Sequence, residues 1–590
     1  MPNALLVYPA YPPSYWGSQF ALEIFGMKAI FPPLGLLTIA AMFPPGYDLR
    51  VVDMNVAPLN DSDLEWADLV FTSTMVVQRE SLKTVIERCN RAGVPVVAGG
   101  PHPTTFHEEI SGVAHFVLDE AEEIFPEFLH DLENGTAKAI YREPRKPDVT
   151  GTPVPRFDLI NVKDYYSMCV QFSRGCPFDC EFCDIIQLYG RVPRTKTPEQ
   201  MVNEFEALYR LGWRGQLFLV DDNFISNKRD ALKLLPVLAE WQKARGYPFT
   251  LFTEATVNLA RMDELMDVMI EAGFNAVYVG IETPNPKALL KMKKPQNVRK
   301  QEDQYLLNSV RTIQHKGMQV MGGFILGLDD DDESAFDAQI DFIQEAGIPM
   351  ASVGLLTAIK GTDLYKRLKR ENRLLDQSVG ARADSVVNLI SVNVPLNFIP
   401  EMDPVTLAEG YRRVITTLYD PTLENYFKRC LTLLTHLKAV PHLLKPQSRN
   451  ALFGAMMAVR RRLSPRQVPA YQQFMARVAK DHPRMLPEAT SLAVQGYHFE
   501  KITRQQISIQ DFKDFLAAEL EQFKEAVSHP LQDVETIGNR RQALFTRVRT
   551  RYESIPGDFR HDEDGIEPAM ETFQSSVNAR VEQFTHSAAT

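Results

Sequence analysis

Three cysteines fall within eight residues, Cys176, Cys180 and Cys183, spaced C-x3-C-x2-C. With six cysteines in 590 residues, chance yields that spacing in about 6 in 10,000 chains of this composition. The spacing therefore points to ligation. A structural zinc site needs four soft or imidazole ligands, yet no histidine occurs between His130 and His315 and there is no second C-x2-C. Three thiolates without a closing ligand suit a cubane [4Fe-4S] cluster whose fourth iron stays open to an exogenous ligand. Cys89, Cys169 and Cys430 stand apart from the motif and read as small buried apolar residues.

The elements around the motif follow from punctuation and periodicity. Residues 169 to 172 read as a strand and RGCPFDCEFC as the loop leaving it. Thr197-Pro198-Glu199-Gln200 is a capping box with proline at the first helical position. Strands are expected at Gln216 to Val220, Phe249 to Thr253, Ala276 to Gly280, Val320 to Ile325 and Ser352 to Leu356, with helices between them ending near Gly246, Gly273, Gly317 and Gly347. Counting the cysteine strand, six βα units make a partial (β/α)6 barrel, with chemistry at the C-terminal strand ends. Asp221, Asp222 and Asn223 follow the second strand, Glu254 the third and Glu282 the fourth, while Gly322, Gly323 and Gly327 surround the fifth. One acid in such a place often only caps a helix. Recurrence at successive strand ends suits a zwitterionic, ribose-bearing ligand whose ammonium and hydroxyls need acceptors.

Upstream, short apolar runs at Ala4 to Tyr8, Leu49 to Met54, Leu69 to Thr74, Pro95 to Gly99 and His115 to Leu118 alternate with helical segments, which reads as a doubly wound, Rossmann-like parallel sheet. Ligands in such folds lie beyond the carboxyl ends of the strands. The turns there hold Asp53, the hydroxyls of Thr72, Ser73 and Thr74, and Gly99-Gly100, whose missing Cβ atoms let a large flat ligand approach. A ligand-free scaffold with ordinary turn glycines is the plainer reading. No G-x-G-x-x-G or Walker lysine follows the first strand, which disfavours a nucleotide. Pro144, Pro147, Pro153 and Pro155 mark residues 141–168 as a stiff connector.

RGCPFDCEFCD resembles the signature loop of the radical SAM superfamily, and FPPLGLLTIAA (31–41), VVDMN (51–55), VAGGPHPT (97–104) and FVLDEAEEIFPEFL (116–129) resemble the cobalamin-binding domain that precedes the barrel in one class of these enzymes. FLVDDNF, FTEATVNLA, VYVGIET and GGFILGLDDD stand where that class binds S-adenosylmethionine (SAM). The resemblance implies that Cys176, Cys180 and Cys183 hold the [4Fe-4S] cluster, that its open iron binds SAM, and that Phe182 packs near adenine. It also implies cobalamin across the cleft, with SAM cleaved to a 5′-deoxyadenosyl radical and methylcobalamin as methyl donor. Two departures stand out. Cobalamin loops that supply an axial histidine read D-x-H-x-x-G, whereas Asp53-Met54-Asn55-Val56-Ala57 lacks both the histidine and the glycine, so no histidine ligand is expected from that loop; His102, on another ligand-facing turn, reads as a hydrogen-bonding residue. In KGTDLYKRLKRENRLL (360–375), Lys360 and Asp363 replace the prolines of the usual P-G-T-P-L.

Beyond residue 376 helical periodicity dominates. LAEGYRRVITTLYDPTLENYFKRCLTLL resembles the extra domain of a subfamily that includes hopanoid C-2 methylases, and Phe512, Phe515, Leu516, Leu520 and Phe523 form an apolar stripe behind a Ser508 cap. The domains expected are a cobalamin-binding Rossmann-like domain at 1–140, the connector at 141–168, the radical SAM barrel at 169–375 and a mainly helical domain at 376–590.

The chain carries 64 Lys+Arg against 75 Asp+Glu, a formal charge of -11, which on its face disfavours a main role in binding polyphosphate or an anionic membrane, and no nucleic-acid partner is expected. The average conceals a contrast. Residues 428–484 hold twelve basic residues against Asp481 alone, so the remainder carries -22. That segment is either a solvated cationic face or a dock for an anionic membrane or an acidic redox partner. No apolar run reaches the roughly 18 residues that span a bilayer, and no signal peptide opens the sequence, so a cytoplasmic chain is expected, with peripheral membrane contact through 428–484. The resemblance implies a methylase acting on an unactivated carbon of a lipid-like or tetrapyrrole-like small molecule, reduced by a flavodoxin- or ferredoxin-like donor. The alternatives are a radical SAM cyclase or oxidoreductase without methyl transfer, and a non-catalytic cobalamin or iron-sulfur sensor.

Overall fold

Six short strands, Asn3–Tyr8 (β1), Asp48–Asp53 (β2), Leu69–Ser73 (β3), Val96–Gly99 (β4), His115–Leu118 (β5) and Ile140–Arg142 (β6), pair in parallel in the order β2-β1-β3-β4-β5-β6. The structure is a computed structural model and describes residues 2–589 apart from 144, 300, 303, 376–395, 445–448, 528–533 and 561–565. Strand order reverses at β1, which has β2 on one side and β3 on the other. In an open α/β sheet that reversal leaves a crevice outside the strand ends, where a ligand lies without displacing a helix. Pro9 to Pro13 and Ser73 to Met75 are the turns that edge it. The sequence reading expected five strands here; the sixth, Ile-Tyr-Arg, is too short for alternation to reveal.

The segment read as a connector is bonded along its length. Arg156 N donates to Leu37 O at 3.0 Å, Tyr166 N to Ala29 O at 3.0 Å and Ser167 N to Ile30 O at 2.9 Å. It lies along the first domain, although Pro144 falls outside the described residues.

Ser167–Val170 (β7) starts the second sheet two residues earlier than expected, inside that segment, because all four of its residues are buried and no alternation marks its start. A two-stranded ribbon, Ser173–Arg174 (β8) with Arg194–Thr195 (β9), follows. Gln216–Leu219 (β10), Thr250–Ala255 (β11), Phe274–Glu282 (β12), Gln319–Leu326 (β13) and Ala351–Leu355 (β14) complete a parallel sheet in the order β14-β13-β12-β11-β10-β7. β7 and β14 are its two edges, so the barrel is partial. The Thr197 capping box closes the start of helix Pro198–Arg210, with both reciprocal bonds made.

Helices dominate from Pro404, including the 42-residue Leu486–Val527, about 63 Å long at 1.5 Å per residue. Residue 376, the expected domain start, lies outside the described residues. One continuous apolar core runs from the barrel, through Val277 and Leu326, to Tyr426, Phe512 and Phe523 of these helices. Phe512, Leu516 and Phe523 are buried, as the stripe required. Ser508 is no cap: it lies inside the long helix and its hydroxyl donates to Arg504 O at 2.8 Å, because the helical pattern continues unbroken through it.

Candidate active site

The β8–β9 ribbon pinches residues 175–193 into a closed loop that carries all three clustered cysteines. Gly175 opens it at φ +97°, where a Cβ would meet Gly190 O at 2.9 Å; only glycine fits. Two carboxylates hold the strand behind it. Asp221 accepts from Phe172 N, Ser173 N and the Ser173 hydroxyl at 2.8, 2.8 and 2.5 Å, and Asp222 accepts from Gly175 N at 2.8 Å. Cys176, Cys180 and Cys183 are part-buried free thiols, each pushed up by burial. Asn223 Nδ2 reaches Cys176 Sγ at 3.9 Å and Gln296 Nε2 reaches Cys180 Sγ at 3.6 Å. Among the described residues no three His, Cys, Asp or Glu side chains already form a metal site. The loop nonetheless has the donors a cluster needs: thiols sharing one short loop and amides directed at their sulfurs. Cys89, Cys169 and Cys430 are buried, as expected.

The acids expected at the strand ends divide. Asp221 is 1% exposed and is occupied by the loop backbone, so it is a fixing group with no face toward a ligand. Glu282 is buried against Lys294, whose ammonium forms an ion pair with it and lies 5.8 Å from the Phe182 ring centroid. Gly327 sits at φ +83°, where a Cβ would meet Leu407 at 2.9 Å. Its hydrogen goes instead to close packing against the C-terminal helix Pro404–Leu418. Asp222 and Glu254 line the central cavity. Glu254 has no hydrogen-bond or ion-pair partner among the described residues. Burial, with Asp222 and Asp221 nearby, pushes its carboxyl up to about 8.

That cavity, of about 990 Å³, is shared by both sheets. Its first wall comes from Tyr8, Tyr11, Thr72, Ser73, Gly99, Gly100 and His102, its second from Gln171, Asp184, Phe218, Asp222 and Glu254. On the first wall several buried polar atoms lack partners: Thr72 Oγ1 and both ring nitrogens of His102; Thr74, expected there too, does not line the cavity and instead bonds Gly99 and His102 through its backbone. His102 is 3% exposed, and burial, aided by Arg79, pushes its imidazole down to about 4. A cluster of unpaired buried polar groups calls for a ligand. Gly99 and Gly100 serve the chain itself as well, since Cβ atoms there would meet Val117 O at 2.8 Å and Ser73 Oγ at 2.7 Å. Asp53 does not face the cavity. It is 5% exposed and accepts from Asn55 N, Asn55 Nδ2 and the Tyr165 hydroxyl, the last at 3.0 Å, so it ties the connector to the first sheet.

Sequence reasoning missed the groups that join the walls. Arg174 Nη1 donates to Glu120 Oε2 at 2.8 Å and Arg174 Nη2 pairs with Glu122 at 2.7 Å, while Arg194 holds Glu120 from the other side at 2.7 Å. The signal was the acidic run Asp119 to Glu123 directly after β5. Lys360, the departure from the family pattern, also bridges the domains, reaching Glu109 at 2.9 Å.

The Radical SAM superfamily matches residues 170–343 and the B12 binding domain residues 26–129. A third family, described only as a domain of unknown function (DUF4070), matches residues 362–511. An uncharacterized methyltransferase of Synechocystis is 44% identical over 71% of this chain and 76% of its own length. This chain belongs to the cobalamin-dependent radical SAM enzymes. The hopanoid C-2 methylase of Rhodopseudomonas palustris is 38% identical over 63% of this chain and 71% of its own. The solved radical SAM methyltransferase TsrM of Kitasatospora setae shares the fold at a TM-score of 0.52 and 16% identity, covering 74% of this chain and 96% of that one. The resident cofactors of this radical SAM enzyme are a [4Fe-4S] cluster, SAM and cobalamin, and the donors described above fit them. No helix among the described residues is long and apolar enough to cross a membrane.

Proposed function

We propose that this enzyme transfers a methyl group to an unactivated carbon of a lipid-like small molecule. The observation that carries the reading is the shared cavity: one wall presents unpaired groups of the B12-type sheet, the other the strand ends beside the cysteine loop, and its lining is largely apolar. The 38% identity to a hopanoid methylase supports the lipid class. When bound, the cofactors supply the radical and the methyl group; the chain's own residues position and enclose them. Cys176, Cys180 and Cys183 hold the cluster, with Asn223 and Gln296 donating to sulfur. Glu254 and Asp222 accept from the SAM ammonium and hydroxyls, and Phe182 flanks its base. Thr72, Ser73, Gly99 and Gly100 contact cobalamin, and Thr74 holds their turn through its backbone. Asp221, Glu282, Gly327 and Asp53 act one step back, by holding the loop, Lys294, the helical domain and the connector. A tetrapyrrole-like substrate is the second reading, since the same cavity admits a flat macrocycle. Reduction comes from a flavodoxin- or ferredoxin-like donor, and exposed cations of the basic C-terminal segment meet a membrane surface.

The test is anaerobic reconstitution with iron, sulfide and cobalamin, followed by turnover with methyl-labelled SAM. Labelled methyl in a lipid product is expected. Product with an unchanged methyl count assigns a cyclase or oxidoreductase instead, and failure to form 5′-deoxyadenosine under reducing conditions assigns a sensor.

A further inference from the structure

Helix Arg449–Arg462 ends in three consecutive arginines, and its side chains sort by face. Val459 is fully buried and Met456 packs on the core. Phe453 is 65% exposed, and Met457, Arg460 and Arg461 share its face at i+4, i+7 and i+8. Arg460, Arg461, Arg462 and Arg466 are all exposed, and no carboxylate pairs with them among the described residues. A phenyl ring in water beside unpaired guanidiniums is the pattern of a helix that lies in a headgroup layer, apolar stem inward and cations on phosphate.

The position of this face adds a purpose. Arg462 Nη2 donates to the Glu23 carbonyl at 3.4 Å, on helix Gln19–Phe25. Gln19, four residues or about 6 Å back along that helix, lines the cavity, as does the exposed Lys28. Phe25, at the other end, is 39% exposed. Two acids share this edge: the exposed Glu23, and Asp164, which pairs with Lys28 at 3.2 Å. Several other cations of the basic segment are elsewhere or occupied. Arg429 is fully buried, Arg477 pairs with Asp481, and Lys438 N bonds Gln314 O behind the barrel; Lys445 lies outside the described residues. The charge excess of 428–484 is therefore no single face, and its end at Arg462 rests on the helix whose Gln19 lines the cavity.

We propose that this edge docks on an anionic lipid bilayer, with Phe453 among the headgroups and Arg460, Arg461 and Arg462 on their phosphates, so that the cavity opens toward the source of an apolar substrate. That last clause rests on the proposed function; the docking itself does not.

The test is co-sedimentation of the full chain with vesicles of phosphatidylcholine alone and of phosphatidylcholine mixed with phosphatidylglycerol. The chain should pellet with the mixed vesicles only, and salt should release it. Replacing all three arginines by glutamine (R460Q, R461Q, R462Q) should lower partitioning by about 100-fold, about fivefold per cation, and lysine at the same three positions should restore it. Phe453→Ser should lower it several-fold at any salt. The proposal is overturned if the unmodified chain stays in the supernatant with mixed vesicles, a result no variant's folding can confuse. It is also overturned if the glutamine variant pellets unchanged. Slower reduction by flavodoxin with vesicle binding intact would assign the face to an acidic protein instead. Vesicle binding is read without turnover, and methyl transfer to detergent-dispersed lipid is read without vesicles, so the docking and the lipid-methylase reading fail separately.

Discussion

Arg174 Nη1 stands 2.8 Å from Glu120 Oε2, and this bond joins the loop of the clustered cysteines to the sheet that forms the opposite cavity wall. Arg174 and Glu120 are 13% and 3% exposed as side chains, so the pair is shielded from solvent. Arg174 also holds the Glu122 carboxyl below the usual range, although burial pushes it up. Glu120 keeps Arg194 when Arg174 is lost, but Glu122 is then left without its cation, and loss of Glu120 leaves Arg194 without its carboxylate; an unmatched buried charge costs about 3–5 kcal/mol. Arg174→Met should therefore lower the unfolding midpoint sharply, and Glu120→Gln likewise. In Arg174→Met the stability that Glu122 gains as a carboxylate, present above its ordinary pKa and lost as pH falls through the depressed one, should vanish. Urea unfolding across the acid range checks both; an unchanged midpoint would refute the interdomain role.

The sulfur-directed amides should set the cluster's potential. Hydrogen bonds to cluster sulfur favour the more negative, reduced state. Asn223→Ala and Gln296→Ala should each lower the midpoint by about 40 mV, the equivalent of about 1 kcal/mol for a one-electron couple, while cluster absorbance survives. Cys176→Ala should abolish that absorbance together with SAM cleavage. Redox titration followed by electron paramagnetic resonance reads the first pair, and a cluster retained in Cys176→Ala would sink the ligand assignment.

Legibility in the sequence followed the range of the interaction. The cysteine loop, the Thr197 capping box and the strands ending at Leu219, Ala255 and Leu326 are local patterns, so residue type and spacing revealed them. β7 was begun two residues late and β6 was missed, because a fully buried four-residue strand and a three-residue edge strand show no alternation. The strand-end acids shared one appearance and have different roles. Asp221 and Glu254 look alike in sequence, yet one accepts three bonds from the Phe172–Ser173 segment and the other faces the cavity unpaired. That difference depends on where β7 sits beside β10, a contact nearly 50 residues distant along the chain. Glu120 with Arg174 and Lys360 with Glu109 were hidden for the same reason: charges on a surface pattern give no sign of which will meet across a domain boundary.

Arg429, counted by sequence among the solvated cations, should behave as a core residue. It is fully buried, donates to the carbonyls of Ile348, Leu418 and Pro349 at 3.0, 2.5 and 3.3 Å, and lies between Tyr419 and Tyr426, each ring centroid 4.9 Å from Cζ. No carboxylate is among these partners; the planar fork itself satisfies the carbonyls. Arg429→Met should destabilise by about 3–5 kcal/mol, since buried acceptors left unpaired carry about 1–3 kcal/mol each. Arg429→Lys should recover little, because an ammonium cannot span the same three carbonyls. Chemical unfolding of the three proteins separates these outcomes; recovery by lysine would show that charge, not the fork, is what the site uses.

Glu254 gives the pH dependence its sign. With its carboxyl pushed up to about 8 by burial and by Asp222 and Asp221, it is largely protonated at neutral pH when the cavity holds no cation. A folded-state pKa above the ordinary carboxylate value means that the folded chain binds more protons than the unfolded one. This group's contribution to stability is thus complete below about pH 4, declines as pH rises and is lost once pH passes about 8. Binding of a ligand bearing ammonium and sulfonium charges should run the opposite way, since ionised Glu254 attracts them and their presence lowers its pKa. SAM affinity should accordingly strengthen as pH rises from 6.5 to about 8.5, with a proton released on binding. Glu254→Gln should weaken SAM binding about tenfold at the upper end, flatten the pH profile, and make the ligand-free protein more stable than the unmodified chain above about pH 8. Calorimetric titration of SAM in two buffers of different ionisation enthalpy measures the proton directly; equal heats in both, with an unchanged profile in Glu254→Gln, would remove Glu254 from the SAM site.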